Sequence, residues 1–104
     1  MLSLRLYVSG NAPQSIRAIL NIKRICEQYL KGDYELDIID IYKNSVLART
    51  EQVIATPTLT LKINGVTSRL IGDLSDEKKV LKGLKIYTTT NFEKSNQKKK
   101  AEGE

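Results

Sequence analysis

The chain has 104 residues, enough for one domain with a single core that needs neither a disulfide nor a metal. Hydrophobic residues make up 40%, Cys26 is the only cysteine and histidine is absent. That composition argues against a disordered chain and excludes an internal disulfide, a Ser-His-Asp or Cys-His pair and a histidine-bound metal. Lys and Arg outnumber Asp and Glu 17 to 12, giving a net charge of +5 and an isoelectric point near 9.4, so nucleic acid or an acidic protein surface would suit it as a partner.

In chain order, Leu2, Leu4, Leu6 and Val8 alternate with Ser3, Arg5 and Tyr7, which predicts a strand. A turn follows at Gly10-Asn11. Pro13 then fits the first turn of a helix, where its missing N–H costs little. Ile16, Ile19, Leu20, Ile22, Cys26, Tyr29 and Leu30 recur at helical spacing, and Gly32 is expected to end the helix with positive φ. Tyr34 to Tyr42, with Leu36, Ile38, Ile39 and Ile41, reads as a second strand buried on both faces. A strand–helix–strand unit needs a crossover, so the two strands are expected to be parallel. Lys43 to Val53 suggests a short second helix.

Leu59, Leu61 and Ile63 then alternate up to Asn64-Gly65, a type I′ turn signal, and a return strand runs from Val66 to Ile71. That register sets Ile63 against Val66 and Leu59 against Leu70. Ser75-Asp76-Glu77 caps a last helix whose apolar stripe is Val80, Leu81, Leu84 and Tyr87. The order β-α-β-α-β-β-α predicts an α/β fold: a mixed four-stranded sheet with helices on both faces, in the thioredoxin-like arrangement. Pro57 falls where such folds carry a cis-proline, although the residues leave cis and trans open. The domain is expected to span residues 1–90, and the polar residues 91–104, with Lys98-Lys99-Lys100, to form a disordered tail. No run is long enough to span a membrane. Met1-Leu2-Ser3-Leu4-Arg5 does not read as a signal peptide, so a cytoplasmic location is expected.

The stretch Val8 to Leu20, "VSGNAPQSIRAIL", is the junction where an α/β protein often keeps its chemistry. A thioredoxin-like enzyme needs a low-pKa thiolate at the start of its first helix, usually in Cys-X-X-Cys. Asn11, Ala12, Pro13 and Gln14 stand there instead, and Cys26 lies about three helical turns away on the apolar side. Neither glycine-rich phosphate motif is present, since Gly10 is the only glycine near the turn. Asp37 and Asp40 point to opposite faces of their strand, and Asp73 and Asp76 surround a helix start as capping residues would. These residues do not predict an enzyme, a cofactor site or a metal site. Arg17, Arg24 and Lys31, spaced by seven, form a basic stripe, as do Lys78, Lys82 and Lys85. Each reads as a solvated face or as a docking surface for an acidic protein.

Four blocks, "LYVSGNAPQSIRAI", "IIDIYKN", "IATPTL" and "LIGDLSDEKKVLKGL", resemble in order and spacing the KaiB family of circadian clock proteins, from about Leu4 to Tyr87. The resemblance implies a non-enzymatic regulator that binds KaiC, a ring-forming ATPase and autokinase, and whose bound form sequesters KaiA and displaces a clock-output sensor kinase. Those kinases carry a similar thioredoxin-like domain. It also implies a metamorphic chain. A ground state, often tetrameric, has a rearranged C-terminal half, and a rarer thioredoxin-like state binds KaiC. A homo-oligomer, dimer or tetramer, is therefore expected.

The family pattern places partner contacts at Gln52, Arg69, Gly83 and Lys85, and the basic stripe adds Arg17 and Arg24. Gly10, Pro57, Asn64 and Gly65 carry structural roles. This chain departs from the pattern at four points. Gln52 stands for a common lysine, Lys85 for a common acid, and a basic tail for an acidic one. Lys62-Ile63-Asn64-Gly65-Val66 replaces a proline-rich segment, which is expected to favour the thioredoxin-like state. The second expectation is accordingly a KaiB-derived adaptor in stress response or signalling that no longer binds KaiC. A thiol enzyme and a nucleic-acid binder are the readings from other classes.

Overall fold

The computed structural model describes residues 2–63 and 65–84. Asn64, Lys85, Tyr87 and the expected tail lie outside them. The elements are β1 (Leu2–Val8), α1 (Pro13–Tyr29), β2 (Tyr34–Asp40), α2 (Ser45–Thr50), β3 (Thr58–Ile63) and β4 (Val66–Ile71). A last helix, α3, begins at residue 77 and is described to residue 84. The strands form one mixed sheet in the order β2-β1-β3-β4, with β1 parallel to β2 and antiparallel to β3. The hairpin has the expected register: Ile63 pairs with Val66 and Leu59 with Leu70. Gly65 takes φ +81°, as the turn requires, and the Thr56–Pro57 peptide is cis.

Alternation assigns each strand residue to a face. Leu2, Leu4, Leu6 and Val8, with Leu59 and Leu61, are buried against Ala18, Ile22, Ile25 and Cys26 of α1 and Val80 and Leu84 of α3. This is the core, and both long helices lie on this side. The opposite face carries Ser3, Arg5, Tyr7, Thr58, Thr60, Thr67, Arg69 and Ile71. Among the described residues, the one helix on that side is the six-residue α2, which contributes the buried Ala48. Tyr7 is fully buried there.

Two expectations need correction. β2 is not buried on both faces. It ends at Asp40 and is an edge strand, so Ile38 is 38% exposed although its neighbour in the ladder, Leu6, is fully buried. The apolar stripe of α1 is also rotated. Ile16 and Leu20 are exposed, while Ser15, Ala18 and Ile25 take the buried face together with Ile22 and Cys26. Ala18 is fully buried in the core cluster, and Ser15 is buried at the start of the helix, where its hydroxyl accepts the Ser9 N–H. The helix stops at Tyr29, Lys31 (φ +46°) and Gly32 (φ +85°) are both left-handed, and Lys31 leaves the helical stripe.

α3 packs hard on β4. A Cβ placed on Gly83 would lie 2.9 Å from Cδ1 of Leu70. Gly83→Val, which adds a branched side chain at this contact, is expected to destabilise the fold by about 1–2 kcal/mol. A lower urea midpoint at unchanged slope is the readout. An unchanged midpoint would mean that Leu70 can move aside.

Candidate functional site

The β1–α1 turn is closed by oxygen groups. The Ser9 N–H donates to Ser15 Oγ at 3.0 Å, and the hydroxyls of Ser9 and Thr56 hydrogen-bond to each other beside Pro57. Asp40 Oδ1 accepts the N–H groups of Gly10 (3.3 Å) and Tyr42 (2.9 Å), so this acid holds the left-handed Gly10 in place. Cys26 lies within the core cluster, fully buried, and burial pushes its thiol up to about 11. A thiol so shifted is a weak nucleophile at neutral pH. Among the described residues, no group of His, Cys, Asp and Glu side chains is placed to hold a metal.

A second place has the shape of a contact site. Between α2 and β4, on the thinly covered face, Arg49, Gln52, Val53, Ile54, Thr58, Arg69 and Ile71 line an open groove of about 570 Å³. Its apolar part is accessible, with Ile54 90% and Ile71 55% exposed. Its rim is basic. Arg69 donates to the backbone oxygens of Glu51 and of Gln52 (3.3 Å), the carbonyls that end α2. A cation there meets the negative end of the helix. Gln52 itself is left-handed at φ +57°, an uncommon conformation for such a residue, and Arg69 braces it. Arg5 reaches Glu51 at 3.5 Å and ties the same helix end to the central strand.

The expected contact residues fall in three places. Gln52 and Arg69 are brought together in the groove. Gly83 is on the other side of β4, packed on Leu70. Arg17 and Arg24 pair across α1 with Asp73 (3.3 Å) and Glu77 (2.8 Å) while keeping about half of their side-chain surface exposed. Hydrogen bonds from the Ser75 hydroxyl and N–H, assisted by Arg17, hold the Asp73 carboxyl below the usual carboxylate range. The sequence alone does not single out Arg49, Ile54 and Ile71 as contact residues. For Ile71 a signal existed, because it stands two residues from Arg69 on one strand and must share its face. Ile54 gives no such signal, since a lone isoleucine before a turn reads as core.

The KaiB domain matches residues 5–86. The chain belongs to the KaiB family. The circadian clock oscillator protein KaiB of Trichodesmium erythraeum is 45% identical over 94 residues, covering 89% of this chain and 90% of that one. KaiB of Synechococcus elongatus is 47% identical over 83 residues, covering 80% and 81%. Among solved structures, the N-terminal domain of Synechococcus elongatus SasA superposes with a TM-score of 0.69 at 19% identity, over 85% of this chain and 84% of that domain. A thioredoxin from Halobacterium salinarum gives 0.69 at 24% identity, over 84% and 74%. The described residues of this KaiB-family chain thus have the thioredoxin-like fold. No described helix is long and apolar enough to cross a membrane.

Proposed function

We propose that this chain is a non-enzymatic clock regulator that docks on a KaiC-like ATPase in the cytoplasm and modulates its phosphorylation cycle or output. The observation that carries the reading is the α2–β4 groove, where exposed Ile54 and Ile71 lie beside Arg69 and Gln52. Apolar anchors within a basic rim suit an acidic protein surface, with charge steering the encounter and apolar burial slowing release. The KaiB proteins of Trichodesmium erythraeum and Synechococcus elongatus, both named circadian clock oscillator proteins, support a clock role.

The test is co-elution with the KaiC-like ATPase of the same genome, with ATP, at several salt concentrations. Ile54→Glu is the informative variant, because a side chain so exposed can change without disturbing the core. Wild type is expected to co-elute, and Ile54→Glu to bind at least about tenfold more weakly at unchanged Tm, roughly 1.4 kcal/mol. Equal binding by both would remove the groove from the interface.

The changes at Gln52 and Lys85 favour a second reading, an adaptor in stress response or signalling with a different partner. Capture of the ATPase by Lys85→Asp but not by wild type would support it. Light scattering on the free protein would test the expected dimer or tetramer.

A further inference from the structure

One polar ridge on α1 has a single destination. Arg17, Asn21 and Arg24 stand at successive turns of the helix. Arg17 Nε donates to Asp73 Oδ2 at 3.3 Å, Asn21 Nδ2 donates to the Asp73 backbone oxygen at 2.9 Å, and Arg24 Nη1 donates to Glu77 Oε1 at 2.8 Å. All three reach the β4–α3 loop or the first turn of α3.

That loop has reason to need holding. Its ladder connection ends with the Gly72 N–H on the Pro57 oxygen at 3.0 Å. Beyond that point two residues are left-handed, Gly72 at φ +121° and Leu74 at φ +63°. Leu74 is a branched residue in a conformation that disfavours it, yet its side chain is 6% exposed and belongs to the core cluster. Asp73 stands between the two. Its Oδ1 accepts the Ser75 N–H at 3.0 Å, which sets the turn, while its Oδ2 and backbone oxygen face the ridge. Asp76 then caps α3 through the Lys79 N–H at 3.2 Å.

We propose that the α1 ridge is a latch and Asp73 its keeper: residues 72–76 and the first turn of α3 form one unit that swings off the core, Leu74 leading, while β1, β3 and the rest of α1 stay closed. Locally opening units of this kind are held by few contacts and solvent-facing polar bonds, and here both arginines of the ion pairs keep about half of their side-chain surface exposed. The inference rests on these bonds and not on the identity of any partner.

Amide hydrogen exchange on the full chain tests it. In the double variant Arg17→Gln with Asn21→Ala, the turn bond from Asp73 to Ser75 is untouched. Amides of residues 72–80 are expected to exchange about tenfold faster, with those of β1 and β3 unchanged. Asp73→Ala, which also removes the turn bond, is expected to give the same pattern with a larger effect. Uniform acceleration across the chain would overturn the latch in favour of a general loss of stability. Acceleration in Asp73→Ala but not in the double variant would assign the holding to the turn alone and overturn the role of α1.

Discussion

Leu6→Ala is expected to remove about 3 kcal/mol of stability, within the range for a truncated core leucine. Leu6 sits on the central strand, fully buried, with Ile38 beside it on β2 and Leu59 on β3. Its face of the sheet meets α1 and α3, so the vacated space has packed neighbours on every side and little freedom to collapse. A domain of this size is stable by only about 5–15 kcal/mol, so the loss should lower Tm by more than about 10 °C. Thr67→Val, on the opposite and exposed face, should stay within about 0.5 kcal/mol of wild type. Urea titrations of both variants measure the contrast. Comparable losses would mean that the α2 side of the sheet carries as much packing energy as the α1 side.

Cys26 should make stability fall at alkaline pH. Its thiol is raised from the ordinary value of 9.0 to about 11, with burial as the cause. The folded state therefore keeps the proton over a range in which the unfolded chain releases it. The contribution is complete below pH 9 and is lost as the pH rises from about 9 to about 11. Within that window the slope from this one group approaches −1.4 kcal/mol per pH unit. Lysines and tyrosines titrate nearby, so the difference between wild type and Cys26→Ala isolates the effect. The alanine variant starts lower at pH 8 because it leaves a small void, and the gap should narrow by pH 11. The same burial predicts that a disulfide reagent labels the folded protein at pH 8 only through unfolding. Rapid stoichiometric labelling of the native chain, with no narrowing of the gap, would contradict the assignment.

Legibility followed the range of the interaction. The hairpin register could be read because Asn64-Gly65 and the alternation on either side are local signals. The parallel pairing of β1 and β2 followed from connection length. β2 reads as buried on both faces because a run of apolar residues does not report whether its strand is central or at an edge. The stripe of α1 reads as rotated because hydropathy counts large side chains, while the small Ser15 and Ala18 are among its buried residues. The site was less visible still. Gln52 and Arg69 were singled out by family pattern, but their meeting depends on a left-handed turn at the end of α2. The arginines of α1 looked like a solvated stripe because their acids, Asp73 and Glu77, lie more than fifty residues away along the chain. Charge pairing over that distance leaves no periodicity to find.

The division of labour between the two sides of the sheet has an evolutionary consequence. The last hairpin strand carries two interleaved texts. Leu70 answers to folding, and so do Leu59 and Leu61 on the strand beside it. Thr67, Arg69 and Ile71, threaded between such positions, face outward with Ile54 and Gln52. On the proposed reading of that face as a docking surface, a lineage can rewrite the second text and acquire a new partner while the first is left intact. Persistence of architecture and turnover of allegiance are thereby separable within a single hexapeptide.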